Sequence, residues 1–138
     1  MDTTVQQNID LLRTAFAHVQ AHDLDAAQAL LTDEFIANQP GATEPQRSRE
    51  LWAANTAAML KAFPDLTITI HDIFGAADKV AVRTTCTATH QGPFAHLAPT
   101  HRPVHYTSLE LYRFENSRIA EEWVAPDLTT LFNQLTAD

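Results

Sequence analysis

The residues that could carry chemistry are few. Asp127 stands at the end of the stretch RIAEEWVAPDLTTLFNQL, Arg118 to Leu135, with Trp123, Leu128 and Leu131 as sequence neighbours. A carboxylate held against apolar groups is costly to ionise, so its pKa is expected to rise toward the range of a general base. The plainer alternative is an N-cap, because ProAsp before LeuThrThr has that pattern. Arg113 bears on the choice. Paired with Asp127 it would lower the carboxylate pKa; paired with Glu121 across neighbouring strands it would leave Asp127 free. His90, His101 and His105 could each supply an oxyanion donor or a second acid/base, against simple exposure at strand ends and in a loop. His101 and His105 have the spacing of a helical zinc pair, with His96 nearby, but Pro103 between them rules out a helix; no metal is expected. Asn55 is an amide in an apolar stripe, suited to a ligand carbonyl or to a backbone group.

The elements that must position these residues follow from periodicity. Val5, Ile9, Leu12, Phe16 and Val19 form the stripe of an amphipathic helix over 4–22, with Thr3 or Thr4 as its N-cap. Asp23 or Asp25 caps a short second helix ending near Leu31. Residues 34–37 form a short strand before a turn-rich loop containing Asn38, Pro40, Gly41 and Pro45. Ser48 caps a third helix running to Ala62, with Leu51, Asn55, Ala58, Met59 and Ala62 along one face, and Pro64 ends it. From Leu66 the period becomes two. Strands are expected at about 66–74, 79–90, 104–114 and 118–125, with turns at 75–78 and 115–117 and a long loop at 91–103. In the last strand Ile119, Glu121, Trp123 and Ala125 share one face and Ala120, Glu122 and Val124 the other; the Glu121 face is taken as inward. Helices followed by antiparallel strands indicate an α+β fold, a curved antiparallel sheet packed on three N-terminal helices. Trp52, Trp123, Phe16, Phe63 and Met59 are expected to line or pack its interior, and Cys86 to be a buried inert thiol.

Composition narrows the partners. Seventeen acidic residues against nine basic ones give a formal net charge of −8. That balance argues against nucleic acid, which requires a basic stripe, and against an anionic membrane surface. One cysteine allows no internal disulfide. No apolar run approaches a membrane span, and MDTTVQQN lacks the layout of a signal peptide, so a cytoplasmic protein of one domain, 1–138, is expected.

PheProAsp at 63–65, AspLysVal at 78–80, ThrHisGlnGly at 89–92, ProThr at 99–100, TyrArgPhe at 112–114 and ArgIleAlaGluGluTrp leading to Asp127 occur in this order along nearly the whole chain. Together they resemble the SnoaL-like polyketide cyclases, of the cone-shaped fold shared with nuclear transport factor and ketosteroid isomerase. The resemblance implies a conical half-barrel with a deep pocket, a homodimer, and no metal or cofactor. It implies that Asp127 acts as general acid/base in an intramolecular aldol ring closure. The cyclases carry a histidine where this chain has Arg113, and tend to place glycines where it has His96 and His101. The catalytic set implied is Asp127, Arg113 and His90. Asn55, Trp123, Glu121, Phe16, Met59 and His105 are expected to contact a mid-sized, largely apolar carbonyl compound. An isomerase or hydrolase using the same pocket, or a small-molecule binder without catalysis, is the competing reading.

Overall fold

The computed structural model describes residues 3–137. Among them, in chain order, are α1 (Thr3–Gln20), α2 (Leu24–Ala29), β1 (Leu31–Asn38), α3 (Arg49–Ala62), β2 (Thr67–Ala76), β3 (Lys79–Thr89), β4 (Pro103–Glu115), β5 (Arg118–Pro126) and α4 (Leu128–Thr136). The strands form one sheet in the order β1-β5-β4-β3-β2. Three of its pairings are antiparallel, but β1 lies parallel to β5, so the all-antiparallel sheet expected from the sequence is corrected at one edge. The element order explains this, since β1 enters between two helices and joins the sheet beside the last strand.

Local chemistry fixes the helix boundaries. Ser48 caps α3 by accepting from the Leu51 N–H at 3.1 Å, and Asp23 caps α2 by accepting from Ala26 at 3.1 Å. Thr3 and Thr4 are both helical residues of α1, and the cap position before them lies outside the described residues. Helix α1 buries Val5, Ile9, Leu12, Ala15 and Val19 against the concave face of the sheet. Helix α3 turns a different stripe inward from the one expected. Thr56, Leu60 and Ala62 are buried with Trp52 and Met59 partly so, whereas Leu51 is 49% exposed and Asn55 is exposed.

The β4–β5 hairpin closes on Asn116 and Ser117, both in the left-handed region at φ 50° and 61°. Two such residues in succession match the twist of the strands they join. Beyond the turn the register slips. Phe114 faces Ile119 while Arg113 faces Glu121, leaving Ala120 as an extra residue in β5. This is a β-bulge, and it reverses the inward parity of everything after it. Ile119 and Ala120 are both buried, then Glu122, Val124 and Pro126 turn toward the interior. Strict alternation from Ile119, which the sequence suggested, would have placed Glu121 and Trp123 there.

The loop after β3 is held against the end of α3 by the N–H groups of Gln91 and Gly92, which both donate to Ala62 O. A Cβ on Gly92 would lie 2.3 Å from the Lys61 carbonyl oxygen, so no larger residue fits without moving backbone. Gly92→Ala is expected to lower stability by roughly 1–3 kcal/mol, the usual range for overpacking. Urea unfolding followed by tryptophan fluorescence measures it, and an unchanged midpoint contradicts the close approach.

Candidate active site

Between the helices and the concave face of the sheet lies a cavity of about 450 Å³. Most of its wall is apolar: Leu12, Phe16 and Val19 from α1, Trp52 and Met59 from α3, Phe63 and Phe94 from the segments that follow, and Leu128 and Leu131 from α4. Phe16 meets Tyr112 edge-on with ring centroids 6.0 Å apart, and Phe94 packs on Phe63 at 5.1 Å. Most polar groups come from the inner faces of β3, β4 and β5, namely Cys86, Tyr106, Ser108, Glu110, Tyr112 and Glu122, with Gln39 after β1 and Asn55 and Thr56 of α3 adding to them.

The two glutamates are the chemical centre. Tyr112 is opposite Glu122 in the sheet register, and Glu110 is opposite Val124, which makes the two carboxyls diagonal neighbours on one face. The Tyr112 hydroxyl donates to Glu110 Oε1, and the Ser108 hydroxyl donates to Oε2 at 2.7 Å. Glu122 is only 5% exposed, and the one hydrogen bond to its carboxyl among the described residues is a 3.4 Å contact from the Gln39 amide to Oε1. Burial, with the charge of Glu110 adding to it, pushes the Glu122 pKa up to about 8. Glu122 is therefore neutral near pH 7 and can donate a proton, while Glu110 accepts from two hydroxyls. Burial first, then Glu110, also holds the Tyr112 hydroxyl well above the usual phenol range, so it remains a donor. Cys86 bonds Tyr106, and burial pushes its thiol up to about 11, so it stays protonated.

The residues singled out from the sequence divide sharply. Phe16, Met59 and Asn55 line the cavity, Asn55 at its rim with its amide donating to Gln46 Oε1 at 3.0 Å. Asp127 does not lie in an apolar setting. It is exposed, caps α4, and accepts from the Thr130 N–H at 3.1 Å and the Thr130 hydroxyl at 2.6 Å. Those bonds lower its pKa, the reverse of the rise expected from its sequence neighbours. Arg113 pairs with Glu121 at 3.2 Å and with Glu115 at 3.0 Å, not with Asp127. The Arg113–Glu121 pairing was one of the two anticipated; Arg113 is on the convex face by the alternation of β4, and the bulge at Ala120 puts Glu121 and Trp123 on that face with it.

His90 is fully buried yet is not among the cavity residues. It packs on Phe63 at 5.5 Å, and its Nδ1 accepts from the Thr100 N–H at 3.1 Å, tying the loop to β3. His105 points outward and is exposed, its backbone N–H and carbonyl held by the Gln134 amide. His96 and His101 are exposed in the loop, and no cluster of metal-ligating side chains occurs among the described residues. Glu110, Glu122, Tyr106 and Tyr112 were passed over. For β4 the signal was present: Glu110 interrupts the alternating row of Val104, Tyr106, Ser108, Tyr112 and Phe114. For Glu122 it was hidden by the bulge.

A raised carboxyl pKa means that the folded state holds a proton the unfolded chain has released. Glu122 then costs the protein nothing below about pH 4.5 and progressively more as pH rises to about 8. The slope is at most roughly 1.4 kcal/mol per pH unit. Urea unfolding from pH 5 to 9 is expected to show Glu122→Gln gaining on the parent chain as pH rises; parallel curves would remove the raised pKa.

The sequence profile of the SnoaL-like polyketide cyclases matches residues 9–135. No curated protein is significantly similar to the chain. Among solved structures, a proposed SnoaL-like polyketide cyclase from Jannaschia sp. CCS1 superposes with a TM-score of 0.93 at 19% identity, covering 100% of this chain and 97% of that one, a likeness of fold. IdmH, a proposed polyketide cyclase from Streptomyces antibioticus, is 31% identical over 94% of this chain and 98% of its own, with a TM-score of 0.82. AclR, a proposed hydroxylase from Streptomyces galilaeus, is 27% identical over 95% of this chain and 82% of its own, with a TM-score of 0.86. No described helix is long and apolar enough to cross a membrane. With the cone fold, the deep cavity and the profile match over nearly its full length, the chain belongs to the SnoaL-like polyketide cyclase family.

Proposed function

We propose that this chain is an enzyme performing cofactor-independent proton transfer on a mid-sized, largely apolar carbonyl compound, with intramolecular aldol cyclisation as the leading reaction. The observation that carries this reading is the pair Glu110 and Glu122 on one wall of an otherwise apolar cavity, one carboxyl bonded by hydroxyls and the other neutral at pH 7. Glu110 takes a proton from the carbon next to the substrate carbonyl. Glu122 donates a hydrogen bond to the carbonyl oxygen as negative charge develops there, the enolate carbon attacks a second carbonyl to close a ring, and the new alkoxide takes back the proton that Glu110 removed. Phe16, Trp52 and Met59 hold the apolar body, and Asn55 at the rim offers an amide to a ligand carbonyl. The base assigned to Asp127 from the family resemblance moves to Glu110, because the carboxyl of Asp127 is exposed and engaged by Thr130. Isomerisation or hydrolysis would draw on the same two carboxyls.

Exchange of the acidic C–H of 2-tetralone for deuterium, followed by NMR in D₂O, tests the base without knowledge of the natural substrate. Glu110→Gln is expected to slow catalysed exchange about 100-fold or more, the usual contribution of a positioned base. Asp127→Asn is expected to stay within a few-fold of the parent. Exchange no faster than in buffer would favour the non-catalytic binder; loss on Asp127→Asn alone would return the base to that residue.

We also propose a homodimer through the convex face of the sheet. Phe74, Ala81, Leu111 and Trp123 form one register row across β2, β3, β4 and β5, with Leu109 and Ala125 beside it. Phe74 and Leu109 are 64% and 60% exposed, unusual for large apolar side chains in adjoining rows. Light scattering is expected to give the mass of two chains, and Leu109→Glu the mass of one; a monomeric parent chain overturns this.

A further inference from the structure

The cavity is charged in one sense only. Glu110 and Glu122 line it, and no lysine, arginine or histidine does so among the described residues. The arginine nearest in sequence, Arg113, is turned to the convex face and held there by Glu115 and Glu121. Arg102 spends a guanidinium N–H on the Gln134 carbonyl at 3.3 Å. Within the site, the partners of the two carboxyls are neutral: Ser108 and Tyr112 on Glu110, Gln39 on Glu122. Glu122 Oε2 has no hydrogen-bond partner among the described residues, although Glu122 is nearly fully buried and on the cavity wall.

Buried carboxyls usually have a cation beside them, because an unpaired charge in an apolar medium is strongly unfavourable. Here the protein supplies hydroxyls and an amide, and leaves one carboxyl oxygen of a cavity-lining residue without a partner among the described residues. An anionic ligand would find no countercharge there and would share the cavity with two acidic groups. A ligand cation would instead meet two carboxyls and the rings of Phe16, Trp52 and Tyr112, all of which line the same cavity, and aromatic faces attract cations.

We propose that the ligand of this cavity carries a basic nitrogen, bound as the ammonium ion against Glu110 and Glu122 with its apolar body among the aromatic side chains. Carboxylate- and phosphate-bearing compounds are excluded. This deepens the proton-transfer reading by naming a substrate class for the same site, but it is tested by binding alone, so a failure of catalysis leaves it standing. It also has a proton signature. An ammonium ion beside Glu122 favours the ionised carboxyl, so binding near pH 7 releases a proton to the buffer, and a neutral ligand of the same shape releases none.

The test is isothermal titration of the intact chain at pH 7 with three naphthalene probes of one skeleton: 2-naphthylmethylamine, 2-naphthalenemethanol and 2-naphthoate. The amine is expected to bind at least ten-fold more tightly than the alcohol, and the carboxylate not at all. The apparent enthalpy for the amine, and not for the alcohol, should vary with the ionisation enthalpy of the buffer. Glu122→Gln should abolish that variation and weaken the amine several-fold while leaving the alcohol unchanged, a readout that also shows the variant to be folded. An alcohol that binds as tightly as the amine, a carboxylate that binds at all comparably, or amine binding without proton release overturns the proposal. So does an amine that fails to bind at millimolar concentration, whatever the alcohol does.

Discussion

Two carboxyl groups share the inner wall of this fold with no cationic side chain lining it among the described residues, and much of the interior is arranged around that. Isolated burial of a carboxylate is unfavourable enough that proteins ordinarily pair it or neutralise it. For Glu110 this chain supplies the hydroxyls of Ser108 and Tyr112 in place of a cation, and it leaves the proton on Glu122. The hydroxyls themselves have to be fixed. Tyr112 is held by the edge of Phe16 and by its position opposite Glu122, and Ser108 by pairing with Pro126 at the far end of β5. Acid, acceptor and their supports therefore come from two adjacent strands, which are stiffer than loops as a platform for chemistry.

The apolar wall has a share in the same electrostatics. Leu12, Phe16, Trp52 and Leu131 keep water from the carboxyls, and it is burial, ahead of the neighbouring charge, that displaces the Glu122 pKa. The helices that look like simple packing elements thus help to set the protonation of Glu122. A cavity-widening change far from either glutamate would admit water and let Glu122 ionise. Stability and reactivity are set against each other here, as at many sites where a group is held in an unfavourable ionisation state.

How much of this was legible in the sequence depended on whether a local rule was allowed to operate undisturbed. Ser48 and Asp23 cap their helices as their types and positions predict, and the alternation of β3 and β4 runs through both strands without interruption. The cone fold followed from that pattern together with the family resemblance. The site was read less well, for two physical reasons. Asp127 satisfies an N-cap and a suspected base with the same oxygens, and its sequence neighbours Trp123 and Leu131 say nothing about whether it is exposed. The parity of β5 was miscounted because a bulge is a property of two strands in register, and one strand read alone does not contain it. Arg113 with Glu121 was a pairing the sequence could name, since opposite charges at matching parity announce themselves, but which face of the sheet they occupy was inherited from the same miscount.

The bulge at Ala120 also decides how much room there is. Positions 121 and 122 are both glutamate, so a slip of one residue in β5 would still present a carboxylate to the interior. What would change is the next residue along. In the observed register Val124 faces the cavity and the indole of Trp123 is outside; in the slipped register the indole would take the place of the isopropyl group. The extra residue thus acts as a gauge of cavity size. It determines the volume left over once the wall is built, and the acidity of the wall would survive its loss.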